Sequence, residues 1–143
     1  MGSKYSIAEL LELGRGFLKL NLGIVARIHD QTYTVYFCTR NSMGIKPGDT
    51  FDLSETYCSD VINSGSTRYY DDVATISEML KHPCYLNTQL RAYIGTPIRI
   101  DNRVWGTLNY SSLSPRDHLY NSEEVAFLEQ QAQTIAELLQ AQL

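Results

Sequence analysis

The chain has 143 residues, a length that suits one domain with a sizeable core, burying roughly two-thirds of the unfolded surface. Its net charge is −4 with no basic cluster, which argues against nucleic acid as a partner, because such binding rests on neutralising phosphates. No apolar run approaches the roughly 20 residues that span a bilayer, and no signal-peptide pattern is present, so a soluble domain without membrane insertion is expected.

Met1-Gly2-Ser3-Lys4 fits the start of a myristoylation pattern but reads better as an expression-tag remnant, leaving one domain over 5–143. Ser6-Ile7-Ala8-Glu9 is a capping box, and Ile7, Leu10, Leu11, Gly14, Phe17 and Leu18 recur at helical spacing after it. This opening helix is expected to end near Asn21–Gly23. Leu22 to His29 alternates as a strand, Asp30-Gln31 supplies a turn, and Tyr33 to Thr39 has the β-branched and aromatic content of a returning strand. Asn41 to Asp49 is a loop, broken by Gly44, Pro47 and Gly48.

Phe51-Asp52-Leu53 is a short extended piece, and Ser54-Glu55-Thr56-Tyr57 signals a helix running to about Ser64, closed by Gly65. Arg68 to Asp72 is extended, and Ile76 to Leu90 holds one or two short helices broken at His82-Pro83. The strands Arg91–Ile100 and Arg103–Tyr110 form a hairpin around Asp101-Asn102, a type I′ turn pair. Pro97 lacks a ladder donor and is expected at an edge or bulge. The sequon Asn109-Tyr110-Ser111 lies in a strand, where a glycan has no room. After the Leu113–His118 loop a final helix opens at Asn121, with Glu124 placed for a capping box and Val125, Leu128, Ala132, Ile135 and Leu139 along one face. Helix, hairpin, helical connection, hairpin, helix is an α+β order: an antiparallel sheet with helices on its faces.

Several segments in this order resemble sensory GAF domains of bacterial signalling proteins, including phytochrome-related and cyanobacterial ones. They are Leu53-Ser54-Glu55-Thr56-Tyr57-Cys58, Leu90 to Ile98, Gly106-Thr107-Leu108, Ser114-Pro115-Arg116 and Gln131 to Ala136. The resemblance spans about Tyr5 to Leu143. It implies a GAF-like antiparallel sheet of five to six strands. The terminal helices would lie on one face, and short helices and loops would cover a pocket on the other. It further implies a regulatory domain that senses a small molecule and relays its state through those helices to an output module, with homodimer formation through Leu10, Phe17, Val125, Leu128, Ala132, Ile135 and Leu139. Mapped onto this fold, the pocket would be lined by Tyr36, Cys38, Phe51, Cys58, Val61, Tyr69, Asp71, Cys84, Tyr85, Leu90, Tyr93, Gly95, Leu108 and Tyr110.

Three cysteines at irregular spacing (Cys38, Cys58, Cys84) form neither a disulfide framework nor a zinc pattern, which suits a cytoplasmic setting. Two sharper alternatives use them. Related domains attach a bilin to a cysteine, and Cys84 in His82-Pro83-Cys84-Tyr85 is the candidate, although Tyr85 stands where the pigmented relatives carry histidine. GAF-fold reductases of free methionine sulfoxide use cysteines near Cys58 and Cys84, but their Gly-Val-Cys-Gly surround is absent here. The family's cyclic-nucleotide signature is also absent. Haem would need an axial ligand, for which His29, His82 and His118 qualify by residue type alone. Asp71-Asp72 is not a catalytic pair, because adjacent strand residues point to opposite faces. No catalytic residue and no metal ligand is assigned, an enzyme is not expected, and the ligand is an unidentified small molecule.

Overall fold

A computed structural model describes residues 4–142; Met1-Gly2-Ser3, with its tag and myristoylation readings, and Leu143 lie outside the described residues. The elements run α1 (Ile7–Leu18), β1 (Leu22–His29), β2 (Thr32–Cys38), β3 (Thr50–Asp52), α2 (Cys58–Ser64), β4 (Arg68–Tyr70), α3 (Pro83–Thr88), β5 (Ala92–Ile100), β6 (Arg103–Ser112) and α4 (Ser122–Gln142), with single 3₁₀ turns at Leu53–Glu55, Val73–Thr75 and Ser77–Met79. The fold is α+β, with one six-stranded antiparallel sheet in the order β3-β2-β1-β6-β5-β4.

Local chemistry places the helix ends. Ser6 Oγ accepts from the Glu9 amide at 3.1 Å, while Glu9 Oε1 accepts from the Ser6 amide at 2.9 Å. Asn121 and Glu124 repeat this reciprocal cap on α4 at 2.8 and 3.0 Å. The first helix stops earlier than its periodicity suggests, because Lys19 turns left-handed (φ 57°) and its amide caps Arg15. The middle helix starts later than Ser54: the Asp52 carboxylate accepts from the Ser54 amide at 3.0 Å and starts a 3₁₀ turn instead. Thr56 is then extended, so α2 begins only at Cys58.

The β5–β6 hairpin turns at Asp101 and Asn102, both at positive φ (54° and 62°), as the type I′ turn requires. Strand β4 begins at Arg68 opposite Gly95, so Pro97 lies on an open stretch of β5, beside a register shift at Ile98/Arg99. A second shift lies in the β1–β2 pair: Val25 pairs Phe37 and Ala26 pairs Val35, leaving Tyr36 without a partner in β1.

The sheet is buried on both faces. Helices α1 and α4 cover one face, where Leu11, Leu18, Val25, Ile94, Ile98, Leu108, Leu128 and Ile135 form a core. The turns, α2 and α3 cover the other, over Leu22, Ile24, Ala26, Tyr33, Val35 and Tyr93. This arrangement corrects the expected dimer seam. Leu10, Leu128, Ala132, Ile135 and Leu139 are buried inside the protomer and Val125 is half-buried against the same core, because one narrow apolar stripe is consumed in covering the sheet. Of the seven, only Phe17 is exposed, at 47%, with its ring 4.4 Å from that of Phe127. None of the described helices is long and apolar enough to cross a membrane.

Candidate functional site

On the sheet face away from α1 and α4 lies a cavity of about 370 Å³. Its floor is Leu22 and Ile24 of β1, Tyr33 of β2, Tyr93 of β5, and Asn109 and Ser111 of β6. Its cover comes from the 43–45 loop, Thr56 to Cys58, Cys84, Thr88 and Leu90, and the exposed lining residues Gly44, Phe51 and Glu55 frame its mouth.

Tyrosines build much of the wall. Tyr57 donates to the Leu90 carbonyl at 2.7 Å, and its ring meets those of Tyr93 and Tyr70 edge-on at 5.3 and 5.9 Å. Edge-to-face packing fixes these rings with their hydroxyls satisfied. Tyr93 can lie flat on its strand because Gly95, two residues on, lacks a side chain: a Cβ there would fall 2.1 Å from the Tyr93 hydroxyl. Burial pushes the Tyr33, Tyr57 and Tyr93 phenols well up, so all three stay protonated.

Both buried thiols line the cavity. Cys58 Sγ lies 3.1 Å from the Tyr93 hydroxyl and 3.2 Å from Thr107 Oγ1. Burial pushes Cys58 up to about 11, with the hydrogen bonds from Thr107 and Tyr93 opposing, and burial pushes Cys84 up to about 11 as well. Two neutral thiols at physiological pH make poor nucleophiles. The residues lining the cavity include no lysine, arginine or histidine, while Asp49 and Glu55 are carboxylates. The Asp49 carboxyl is held low by hydrogen bonds from the Lys46 backbone amide and side chain.

Of the residues assigned to a pocket from the sequence, Phe51, Cys58, Cys84, Leu90 and Tyr93 line this cavity. Val61, Cys38 and Tyr85 pack in the layer around it, and Gly95 makes room for Tyr93. Five belong elsewhere. Leu108 and Tyr110 point to the helix-covered face, because along β6 Thr107, Asn109 and Ser111 take the cavity side. Tyr36 sits on the bulge, which turns it outward to stack edge-on against Trp105 at 5.2 Å. Tyr69 is exposed with its ring on Tyr120, and the Asp71 carbonyl accepts from the Arg116 amide at 2.9 Å, outside the cavity. The sequence reading missed Tyr33, Tyr57, Asn109 and Ser111. For Asn109 and Ser111 the signal is the polar half of the β6 alternation, Thr107-x-Asn109-x-Ser111, which in a sheet covered on both sides marks the less apolar compartment.

The three histidines do not reach the cavity lining. His29 and His118 are exposed, and His82 Nδ1 accepts from the Cys84 amide at 3.0 Å as the cap of α3. A second cleft, about 470 Å³, lies between the end of α1 and the 112–121 loop. Within it Arg116 is already paired: its Nη2 donates to both Glu124 carboxylate oxygens at 3.0 and 2.9 Å, and the guanidinium lies 4.1 Å from the Tyr120 ring centroid.

The family model described as GAF domain matches residues 7–140. The chain belongs to the GAF domain family. Solved GAF domains share its fold at low identity. The blue-light absorbing form of the Thermosynechococcus elongatus PixJ GAF domain is 19% identical, with a TM-score of 0.71 over 93% of this chain and 82% of that one. The GAF domain of an Acinetobacter phosphoenolpyruvate-protein phosphotransferase is 12% identical, with a TM-score of 0.76 over 95% and 80%. The phycocyanobilin-bound GAF domain of a cyanobacterial phytochrome is 14% identical, with a TM-score of 0.71 over 93% and 81%. At these identities the likeness carries the fold alone. No curated protein matches the sequence significantly.

Proposed function

We propose that this GAF domain is a non-catalytic sensory module that binds a small molecule between its sheet and its α2–α3 cover and relays occupancy through α1 and α4. The observation that carries this reading is the apolar cavity of about 370 Å³, within the range of small-molecule sites and on the face opposite the terminal helices. Strand β6 serves both faces: Asn109 and Ser111 line the cavity, and Tyr110 between them donates to Gln131 Oε1 of α4, whose Nε2 donates to the Leu10 carbonyl of α1. A ligand that favours one position of β6 biases both helices by its differential affinity. The neutral thiols of Cys58 and Cys84 speak against thiol chemistry of the reductase type. Three cysteines without a disulfide among the described residues suit the cytoplasm.

Homodimer formation belongs to the same proposal, with the contact moved to the outer faces of the helices, where Leu13 and Phe17 are about half exposed. A second reading, bilin attachment at Cys84, is favoured by the thiol in the cavity wall and by the fold shared with the phycocyanobilin-bound domain. The lining offers the thiol but no lysine, arginine or histidine for the carboxylates a linear tetrapyrrole carries, so the residues present do not fit the pigment.

The test is a thermal-shift titration with naphthalene as a neutral probe, followed by amide exchange on the saturated protein. Stabilisation of the natural chain, its loss when Ser111→Phe fills the floor, and changed exchange in α4 are expected. No stabilisation at saturating probe would reject the cavity as a binding site, and unchanged exchange in α4 would reject the relay.

A further inference from the structure

Two polar groups in the cavity floor have work left to do. Asn109 is 4% exposed and Ser111 is 2% exposed. The Asn109 amide nitrogen is held by the Tyr33 hydroxyl at 3.1 Å and by Thr107 Oγ1 at 3.3 Å, which fixes the side chain and leaves its carbonyl oxygen to the cavity. Among the described residues neither Asn109 Oδ1 nor Ser111 Oγ has a hydrogen-bond partner, and both residues line the cavity. Buried polar groups are seldom left unpaired, since an unmade hydrogen bond forfeits the group's hydration without replacement. The pair stands at positions i and i+2 of one strand face, with Cα atoms roughly 7 Å apart along β6 and side chains that can lean toward one another.

The surroundings limit what can meet them. The walls are aromatic and aliphatic (Tyr33, Tyr57, Tyr93, Leu22, Ile24), which favours a flat apolar body. With no cation in the lining and Asp49 and Glu55 as its only carboxylates, an anion would be desolvated without compensation. At about 30 Å³ per water the cavity is worth roughly a dozen waters, which sets the ligand at about 10–20 heavy atoms.

Resting on the small-molecule reading above, we infer that the ligand is a neutral, planar aromatic compound bearing an N–H or O–H donor for Asn109 Oδ1 beside an acceptor for the Ser111 hydroxyl, the chemistry of an aromatic lactam or a similar heterocycle. Recognition then divides between the two parts of the site. The tyrosine walls supply affinity through buried area, and the β6 pair selects orientation and ranks apolar analogues lower, since they leave it unpaired.

Three probes of one shape separate the parts: 2-quinolone, with its lactam N–H and C=O; naphthalene, with neither; and 2-naphthoate, with a charge. Isothermal titration of the natural chain is expected to rank 2-quinolone about tenfold above naphthalene, with 2-naphthoate weakest. Ser111→Ala and Asn109→Leu are each expected to lower 2-quinolone affinity about 3- to 10-fold while leaving naphthalene within twofold, and the retained naphthalene binding reports an intact cavity. Equal affinity for 2-quinolone and naphthalene would overturn the inference and leave the cavity reading standing. So would stronger binding of 2-naphthoate. No binding of any probe would overturn both.

Discussion

The Tyr110 hydroxyl donates to Gln131 Oε1 at 2.5 Å and Gln131 Nε2 donates to the Leu10 carbonyl at 2.7 Å, so one buried amide joins β6, α4 and α1. Room for this bridge comes from Gly14, where a Cβ would fall 2.0 Å from the Tyr110 oxygen. Tyr110→Phe leaves Gln131 Oε1 buried without its donor and should cost about 1–3 kcal/mol in urea unfolding. Gly14→Ala must displace the Tyr110 ring and should cost more than Tyr110→Phe. A Gly14→Ala variant as stable as the natural chain would show that the bridge yields easily.

The Arg116–Glu124 pair ties the last loop to the start of α4. Both side chains are at most 10% exposed, and Arg116 also reaches the Leu18 carbonyl at 3.5 Å. Removing one partner strands a buried charge, so Arg116→Ala and Glu124→Ala should each lose about 3–5 kcal/mol by chemical denaturation. The loss in the double variant should fall short of the sum of the two singles, since the second change removes the stranded charge.

Alkaline pH should weaken the fold through the cavity thiols. Cys58 and Cys84 are raised from 9.0 to about 11 by burial, so the folded state holds its protons more tightly than the unfolded chain. Their contribution is complete below pH 9 and is lost as the pH climbs through 11, with the raised Tyr33 and Tyr93 phenols acting in the same direction. A melting temperature falling between pH 9 and 11, and falling less in Cys58→Ala/Cys84→Ala, is the expected result. At pH 7.5 iodoacetamide should label half-buried Cys38 before either cavity cysteine, as read by peptide mass spectrometry.

The proposed dimer predicts a specific sensitivity. Leu13 and Phe17 lie on the outer face of α1, 50% and 47% exposed, and support no core contact that would collapse when they change. Leu13→Glu/Phe17→Glu should sediment as a monomer at concentrations where the natural chain sediments as a dimer, with the melting temperature moved by only a few degrees. A natural chain that is monomeric at 100 µM would remove the dimer from the proposal.

Phe51, Cys58, Cys84, Leu90 and Tyr93 line the cavity, and of these Cys58, Leu90 and Tyr93 lie in segments that resemble the family pattern. Leu108 and Tyr110 were placed on the wrong face because hydrophobicity cannot choose a side when both faces of a sheet are buried. Only the pairing of β6 with β1 and β5 decides that Asn109 and Ser111 face the cavity. Tyr36 was misplaced for a different reason: one extra residue on β2 reverses the side-chain alternation beyond it.

By itself the sequence determined the local events. The capping boxes at Ser6 and Asn121, the Asp101-Asn102 turn and the strand alternations are set by neighbours within a few residues, and their order was enough to indicate a GAF fold. Tertiary structure alone decided how the faces are used. The stripe Leu10–Leu139 that could have joined two protomers instead closes over its own sheet, since α1 and α4 bury it there. Which polar residues of β6 face the cavity depends on strand register, a relation between residues far apart in the chain that no local pattern encodes.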